Sequence, residues 1–218
     1  FEALARWDQL DDRGAALAVL ARAAATDRQQ QLDRLLIHAA IESALTAGLA
    51  PDTMLFLNSE ASAPHISRAD DEVLARGAER LQLVFEITER SLLTDPPALL
   101  RKVAALHADG FAVALDDVGA NLDSLALLDV ICPDVIKLDR SIVDGLIHDD
   151  VLATLVHSLV EFGHAAGAAV VAEGVETAAD AETLRVHGVD YGQGWHFGRP
   201  GPACDLAPAV ALPAAVAI

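Results

Sequence analysis

The sequence predicts an α/β fold closed as a TIM-like (β/α) barrel. Three observations carry this. Short apolar runs recur along the chain, and each ends in a polar residue. Stretches with helical spacing separate most of the runs. The runs are near-continuous in apolar residues rather than alternating, as in a parallel sheet covered on both faces. Barrels of this type place their functional side chains at the C-terminal ends of the strands.

The elements follow in order. A first strand around residues 1–5 places Glu2 near its end. Ala15 to Ala25 is Ala- and Leu-rich and predicts a helix. Between Arg28 and Gly48, the residues Leu32, Leu35, Leu36, Ala39 and Ile41 predict another. A strand over 53–58 runs through Met54–Leu57 to Asn58, and one over 82–87 runs through Leu83–Phe85 to Glu86. Thr94-Asp95-Pro96 is an N-cap with Pro at the first helical position. Leu99, Val103 and Leu106 follow at helical spacing, and Gly110 closes that helix. The strand over 111–116 ends at Asp116-Asp117, and the strand over 134–138 reaches Lys137. Asp149-Asp150 opens a long helix whose stripe is Leu152, Leu155, Val156, Leu159 and Val160. The strand over 168–173 ends at Glu173. Thr177 and Asp180 match a capping box, with Gly188 as the stop. A weaker strand over 189–193 leads to Gln193. This makes seven strands where a closed barrel has eight, so the first strand and helix are expected to be absent from this chain. Residues 1–200 form one barrel domain, and 201–218, rich in Pro and Ala, form a final helix or a tail.

With 218 residues, 53% of them hydrophobic, the chain can bury a large core without staples. A formal net charge of −18 excludes a nucleic-acid duplex or an anionic membrane as the main partner. Cys132 and Cys204 offer neither a disulfide framework nor a zinc pattern, which points to a reducing, cytoplasmic setting. Cys132 precedes Pro133 at a strand entrance and reads as a core residue. No apolar run of about 18 residues is present, so no membrane insertion is expected. Lys102 and Lys137 are the only lysines, in a chain that otherwise uses Arg for positive charge. A Lys at a strand end therefore calls for a compact, flexible ammonium.

The acidic strand ends are the candidate site. Barrel closure would bring Glu2, Glu86, Asp116, Asp117 and Glu173 to one mouth. Carboxylates that close repel one another, and divalent cations relieve the cost. Carboxylate and amide oxygens, the latter from Asn58, are the ligand chemistry of Mg²⁺ or Mn²⁺.

At this point the residues resemble the EAL domain, the cyclic di-GMP phosphodiesterase module of bacterial signalling proteins. Glu2-Ala3-Leu4 with Arg6 resembles EALxR, and Leu57-Asn58 resembles its LN segment. Glu86-Ile87-Thr88-Glu89 resembles ELTE, and Asp116-Asp117-Val118-Gly119 resembles the DDFG loop. Pro133–Asp139 resembles PDxIKID, Ala172–Glu176 resembles AEGVE, and Gln193-Gly194 with Gly198-Arg199-Pro200 resembles the QG and GRP ending.

The resemblance implies an EAL-type barrel and metal-dependent hydrolysis of cyclic di-GMP to linear pGpG by a water activated at two Mg²⁺ or Mn²⁺ ions. Glu2, Asn58, Glu86 and Asp116 would hold one metal, with Asp117 reaching the second. Glu173 would assist the first site and orient the attacking water. Lys137 would stabilise that water and the charge building on phosphorus. Arg6, Gln193 and Pro200 would serve the substrate. Glu89 would hold the loop after Asp117 in place, and Glu176 would do similar work near Glu173. The family often dimerises and is usually joined to a regulatory domain, so a homodimer and a fused domain outside this chain are implied partners.

The chain departs from the family after Asp117. Where the family continues with DDFG-T-G-Y-S-S, this chain has Ala120-Asn121-Leu122-Asp123-Ser124 after Gly119. That departure keeps a second function open, a catalytically weak or inactive module that binds cyclic di-GMP or a protein. A third is an unrelated metal-dependent phosphoesterase on a similar barrel. Trp7 and Trp195 could stack on guanine or pack on the barrel rim.

Overall fold

The computed structural model of the chain describes residues 1–6, 13–88, 95–119, 128–146 and 149–206. Trp7, Glu89, residues 120–127 and residues 207–218 lie outside the described residues. All seven strands expected from the sequence are present, and their paired neighbours run parallel. The chain divides into two compact units.

The first unit contains β1 (Glu2–Ala3), α1 (Arg13–Ala25), α2 (Gln29–Ala47), β2 (Met54–Asn58), α3 (Glu72–Ala78), β3 (Gln82–Thr88) and α4 (Pro96–Ala108). A 3-10 turn, Ala203–Leu206, belongs to it as well. β2 pairs with β1 on one side and β3 on the other, with Glu2 opposite Phe56 and Asn58 opposite Glu86. Leu55, Leu57, Leu83, Phe85 and Ile87 are buried, together with Ile41, Leu74, Leu99 and Leu106 from the helices. α4 starts as the sequence implies, with Asp95 accepting from the Ala98 N–H at 3.0 Å and Pro96 at its first position. α2 ends at Gly48, whose φ of 70° lets its N–H reach back to the last carbonyls. The helix expected between Arg28 and Gly48 is present as α2, whose buried residues are Ile37, Ile41 and Ala44, while Leu35 is 64% exposed. Ile41 packs against α3. A Cβ on Gly77 would already lie 2.8 Å from Ile41.

Two carboxylates, the buried Asp71 and the half-buried Asp109, tie this unit's loops. Asp71 caps α3, accepting from the Val73 and Leu74 N–H groups, and also meets Arg34 and His38. Burial pushes its carboxyl up, but the His38 and Leu74 hydrogen bonds and the charges of His38 and Arg34 outweigh this, so it sits below its ordinary value of 3.8. Asp109 accepts from the Arg68 N–H at 2.6 Å and from Ser67, and meets His65, which packs edge-on against Phe85 and Phe111.

The second unit contains β4 (Ala112–Val118), α5 (Leu128–Ile131), β5 (Val135–Leu138), α6 (Arg140–Gly145), α7 (Asp150–Ala166), β6 (Ala169–Ala172), α8 (Ala178–Val186) and β7 (Tyr191–Gly192). Its strands pair in chain order, β4 to β7. Asp134 fixes the start of β5, accepting the Val113 N–H at 2.8 Å while its own N–H bonds the Val113 carbonyl. Asp149 caps α7, and Val156, Leu159 and Val160 are its buried stripe, with Gly163 continuing it. Thr177 and Asp180 form both halves of the capping box at α8. Cys132 is exposed and has a φ of 48°, which corrects its reading as a core residue: the turn into Pro133 directs its side chain outward. α3, α5 and α6 were not expected from the sequence; they span seven, four and six residues, too short for a legible stripe. Among the described residues, no helix is long and apolar enough to cross a membrane.

Candidate functional site

The ends of the strands in the second unit carry four charged side chains. Their placement begins with a defect in β4. Leu115 lies opposite Ile136, but Val118 lies opposite Leu138, so three steps on β4 match two on β5. One residue is extra, and it falls at Asp116-Asp117. Bulges of this kind bend a strand and re-aim its side chains, and they recur beside active sites. Asp117 carries the irregularity, with a φ of 59°. Gly119 follows at 98°, packed so closely that a Cβ would lie 2.0 Å from Ile142 Cδ1.

Lys137 on β5 pairs in register with Val171 on β6. Glu173 is two residues beyond Val171, so the period of two turns it to the face that Lys137 uses. The Glu173 N–H also bonds the Leu138 carbonyl at 3.1 Å, which holds the strand end in line. The result is a buried ammonium between two carboxylates. Lys137 Nζ is 3.0 Å from Asp116 Oδ1 and 2.6 Å from Glu173 Oε1, with its side chain 1% exposed.

Asp116, Asp117 and Glu173 each offer a carboxylate oxygen within 4.8 Å of the others. Three carboxylates face one ammonium, and the site is left net negative. The donors are all hard oxygens, which suits Mg²⁺ or Mn²⁺ and does not suit a thiophilic metal. The residues present therefore fit a divalent cation.

The loops beyond β6 and β7 brace this cluster. Gln193 donates its N–H to the Ala172 carbonyl at 2.8 Å and accepts the Val175 N–H at 3.0 Å. Gly194 is pressed against the Val175 backbone, where a Cβ would lie 2.1 Å from the carbonyl oxygen. Glu176 pairs with Arg140 of α6 at 2.7 Å, and the Arg140 stem covers Gly174. Trp195 is 55% exposed, with the Arg199 guanidinium 4.4 Å above its ring. Pro200 is exposed.

In the first unit, the expected donors sit at the ends of β1, β2 and β3. Asn58 Nδ2 donates to Glu2 Oε1 at 3.4 Å, and Glu86, level with Asn58 in the ladder, is 2% exposed. Arg6 is exposed, and its guanidinium bonds the Ala5 carbonyl at 2.9 Å. Sequence reasoning missed one feature here. Lys102 of α4 is buried and Asp33 of α2 half-buried beside the loop that follows Asn58, with Nζ and Oδ2 3.5 Å apart. Burial pushes the Asp33 carboxyl up and the Lys102 ammonium down. The signal was available: Lys102 is one of only two lysines, and it lies between Leu99 and Val103 on the apolar face of its helix.

The sequence profile of the EAL domain matches residues 1–200. This chain belongs to the EAL domain family. It is 37% identical over 125 residues to the probable cyclic di-GMP phosphodiesterase PdeD of Escherichia coli, a stretch covering 57% of this chain and 23% of that protein. The chain thus spans about a quarter of the length of that curated relative. Among solved structures, it resembles the PaMucR phosphodiesterase in complex with c-di-GMP, with a TM-score of 0.76 and 30% identity over 94% of this chain and 86% of that one. It also resembles Klebsiella pneumoniae BlrP1 in a manganese and cy-diGMP complex, with a TM-score of 0.73 and 27% identity over 84% of this chain and 48% of that one. The likeness makes the fold class α/β, a TIM-like barrel of the EAL type, as the sequence predicts.

Proposed function

We propose that this EAL domain hydrolyses cyclic di-GMP to linear pGpG with the help of two divalent cations, Mg²⁺ or Mn²⁺. The observation that carries the reading is the contact of Lys137 with Asp116 and Glu173, beside Asp117 on the β4 bulge. Asp116, Asp117 and Glu173 are the cation donors of the second unit. Glu2, Asn58 and Glu86 carry donor atoms of the same kind and are assigned as metal ligands too. When bound, such cations lower the pKa of a water and neutralise charge on phosphoryl oxygens.

The chain's own residues supply the rest. Glu173 accepts a proton from the attacking water. Lys137 is buried and charged, and it opposes the negative charge that builds on phosphorus as the water adds. Arg6 is exposed and suited to grip a substrate phosphate. Gln193 and Pro200 line the substrate side, and Glu176, paired with Arg140, steadies the segment after Glu173. Glu89 is assigned to holding the loop after Asp117. The PaMucR complex with c-di-GMP supports the choice of substrate, and the BlrP1 complex with manganese and cy-diGMP supports both substrate and ion class.

The test is direct. The purified chain with Mg²⁺ or Mn²⁺ is expected to convert cyclic di-GMP to pGpG, and Lys137→Ala and Glu173→Gln are expected to lose turnover. The sequence after Gly119 favours one alternative, a non-catalytic binding module. Calorimetry showing cyclic di-GMP binding without turnover, unaffected by Lys137→Ala, would establish that alternative.

A further inference from the structure

We propose that Asp33 and Lys102 are positioning residues for Asn58, fixing the Ser59-Glu60 segment that follows it and thereby the direction of its side-chain amide toward a divalent cation. This rests on the reading of Asn58 as a metal ligand.

The contacts converge on two adjacent residues, Ser59 and Glu60. Asp33 Oδ1 accepts the Glu60 N–H at 2.7 Å, and Oδ2 accepts the Ser59 hydroxyl at 3.2 Å. Lys102 Nζ donates to the Glu60 carbonyl at 2.5 Å. The Ser59 N–H donates to the Glu86 carbonyl at 3.0 Å. Both backbone polar groups of Glu60 and both donors of Ser59 are therefore held, and they start one residue after Asn58. A rotation of the chain at that point swings the amide of Asn58, and these four bonds oppose it.

The pair is better built for this than for stability. Its two charged atoms are 3.5 Å apart, longer than each one's bond to Glu60. Side-chain exposures of 3% for Lys102 and 12% for Asp33 carry the desolvation penalty of a buried pair. Such a pair is often no more stable than an apolar substitute. What an apolar substitute cannot do is bond the Glu60 backbone from both sides. Groups that orient a metal ligand in this way typically change metal affinity by about 10–100-fold when removed. Acting through backbone, this pair belongs at the lower end.

Mn²⁺ alone is the probe, its affinity for the whole chain read by calorimetry. Asp33→Ala and Lys102→Met are each expected to weaken Mn²⁺ binding by about tenfold. Asp33→Asn keeps an oxygen for the Glu60 N–H and is expected to recover most of that loss. In an Asn58→Ala background, Asp33→Ala is expected to have no further effect, because a residue acting through Asn58 has nothing left to act on. Circular dichroism selects the folded variants, and Lys102→Met decides if Asp33→Ala does not fold. Unchanged Mn²⁺ affinity in a folded single variant, or additive losses in the double variant, would overturn the proposal while leaving the metal site intact. A wild-type chain that binds no Mn²⁺ would overturn the metal-site reading itself, and this proposal with it.

Discussion

Lys137→Met removes the buried charge at the centre of the candidate site while keeping most of the side chain's volume. Its ammonium contacts Asp116 at 3.0 Å and Glu173 at 2.6 Å, and the side chain is 1% exposed. At an effective dielectric of about 20, each contact contributes several kcal/mol of attraction. Desolvation of the ammonium offsets much of that. The net loss is expected to match the removal of one partner from a buried pair, about 3–5 kcal/mol. Urea unfolding in EDTA, followed by circular dichroism, measures it. The same titration in saturating Mn²⁺ adds a second reading. A dication supplies the positive charge that the variant lacks, so Mn²⁺ is expected to stabilise Lys137→Met more than the wild type. A variant within about 1 kcal/mol of wild type in EDTA, with an equal Mn²⁺ response, would refute the reasoning.

Gly119→Ala forces a Cβ into Ile142 at a φ of 98° and is expected to destabilise by about 2–4 kcal/mol in chemical denaturation, whereas Gly48→Ala, at a φ of 70° in open space, is expected to lose only about 1 kcal/mol. Asp71→Asn keeps the cap on α3 but loses the charge that meets His38 and Arg34, a loss of about 1–2 kcal/mol at neutral pH. Because the Asp71 carboxyl is held below 3.8 in the folded chain, its contribution is complete above that pH and disappears as pH falls through the folded value. The stability gap between wild type and Asp71→Asn should therefore close in strong acid, as read by denaturation across pH. Thr177→Ala breaks the capping box of α8 and is expected to lower stability by about 1 kcal/mol, a shift readable in the thermal midpoint.

The five central strands were legible because each is a compact apolar run that meets its polar end within one or two residues of where the ladder stops. The long helices were legible through their caps: Asp95, Asp149 and Thr177 each bond the N–H groups that their positions imply. Short helices were not, since seven residues or fewer hold too few turns to show a period, although Asp71 before Glu72-Val73-Leu74 is a cap that signals α3. Lys137 was legible as an unusual lysine at a strand end. Its twin, Lys102, was not, because its meaning lies in Asp33, 69 residues away in the chain and on a different helix. The left-handed backbone of Asp117 was also hidden, since nothing local in Leu115-Asp116-Asp117-Val118 marks the extra residue.

That extra residue makes the chemistry proposed for this domain unusually easy to lose by mutation. Loss of a single codon at position 116 or 117 would leave β4 and β5 with matching step counts from Leu115 to Leu138. The strand would become more regular, and the barrel would have no reason to unfold. One acidic oxygen would be gone from beside Lys137, and the survivor would take up ordinary pleated geometry. In such a lineage, folding and the proposed hydrolysis would part company in one genetic event, leaving a well-formed domain free to acquire another role.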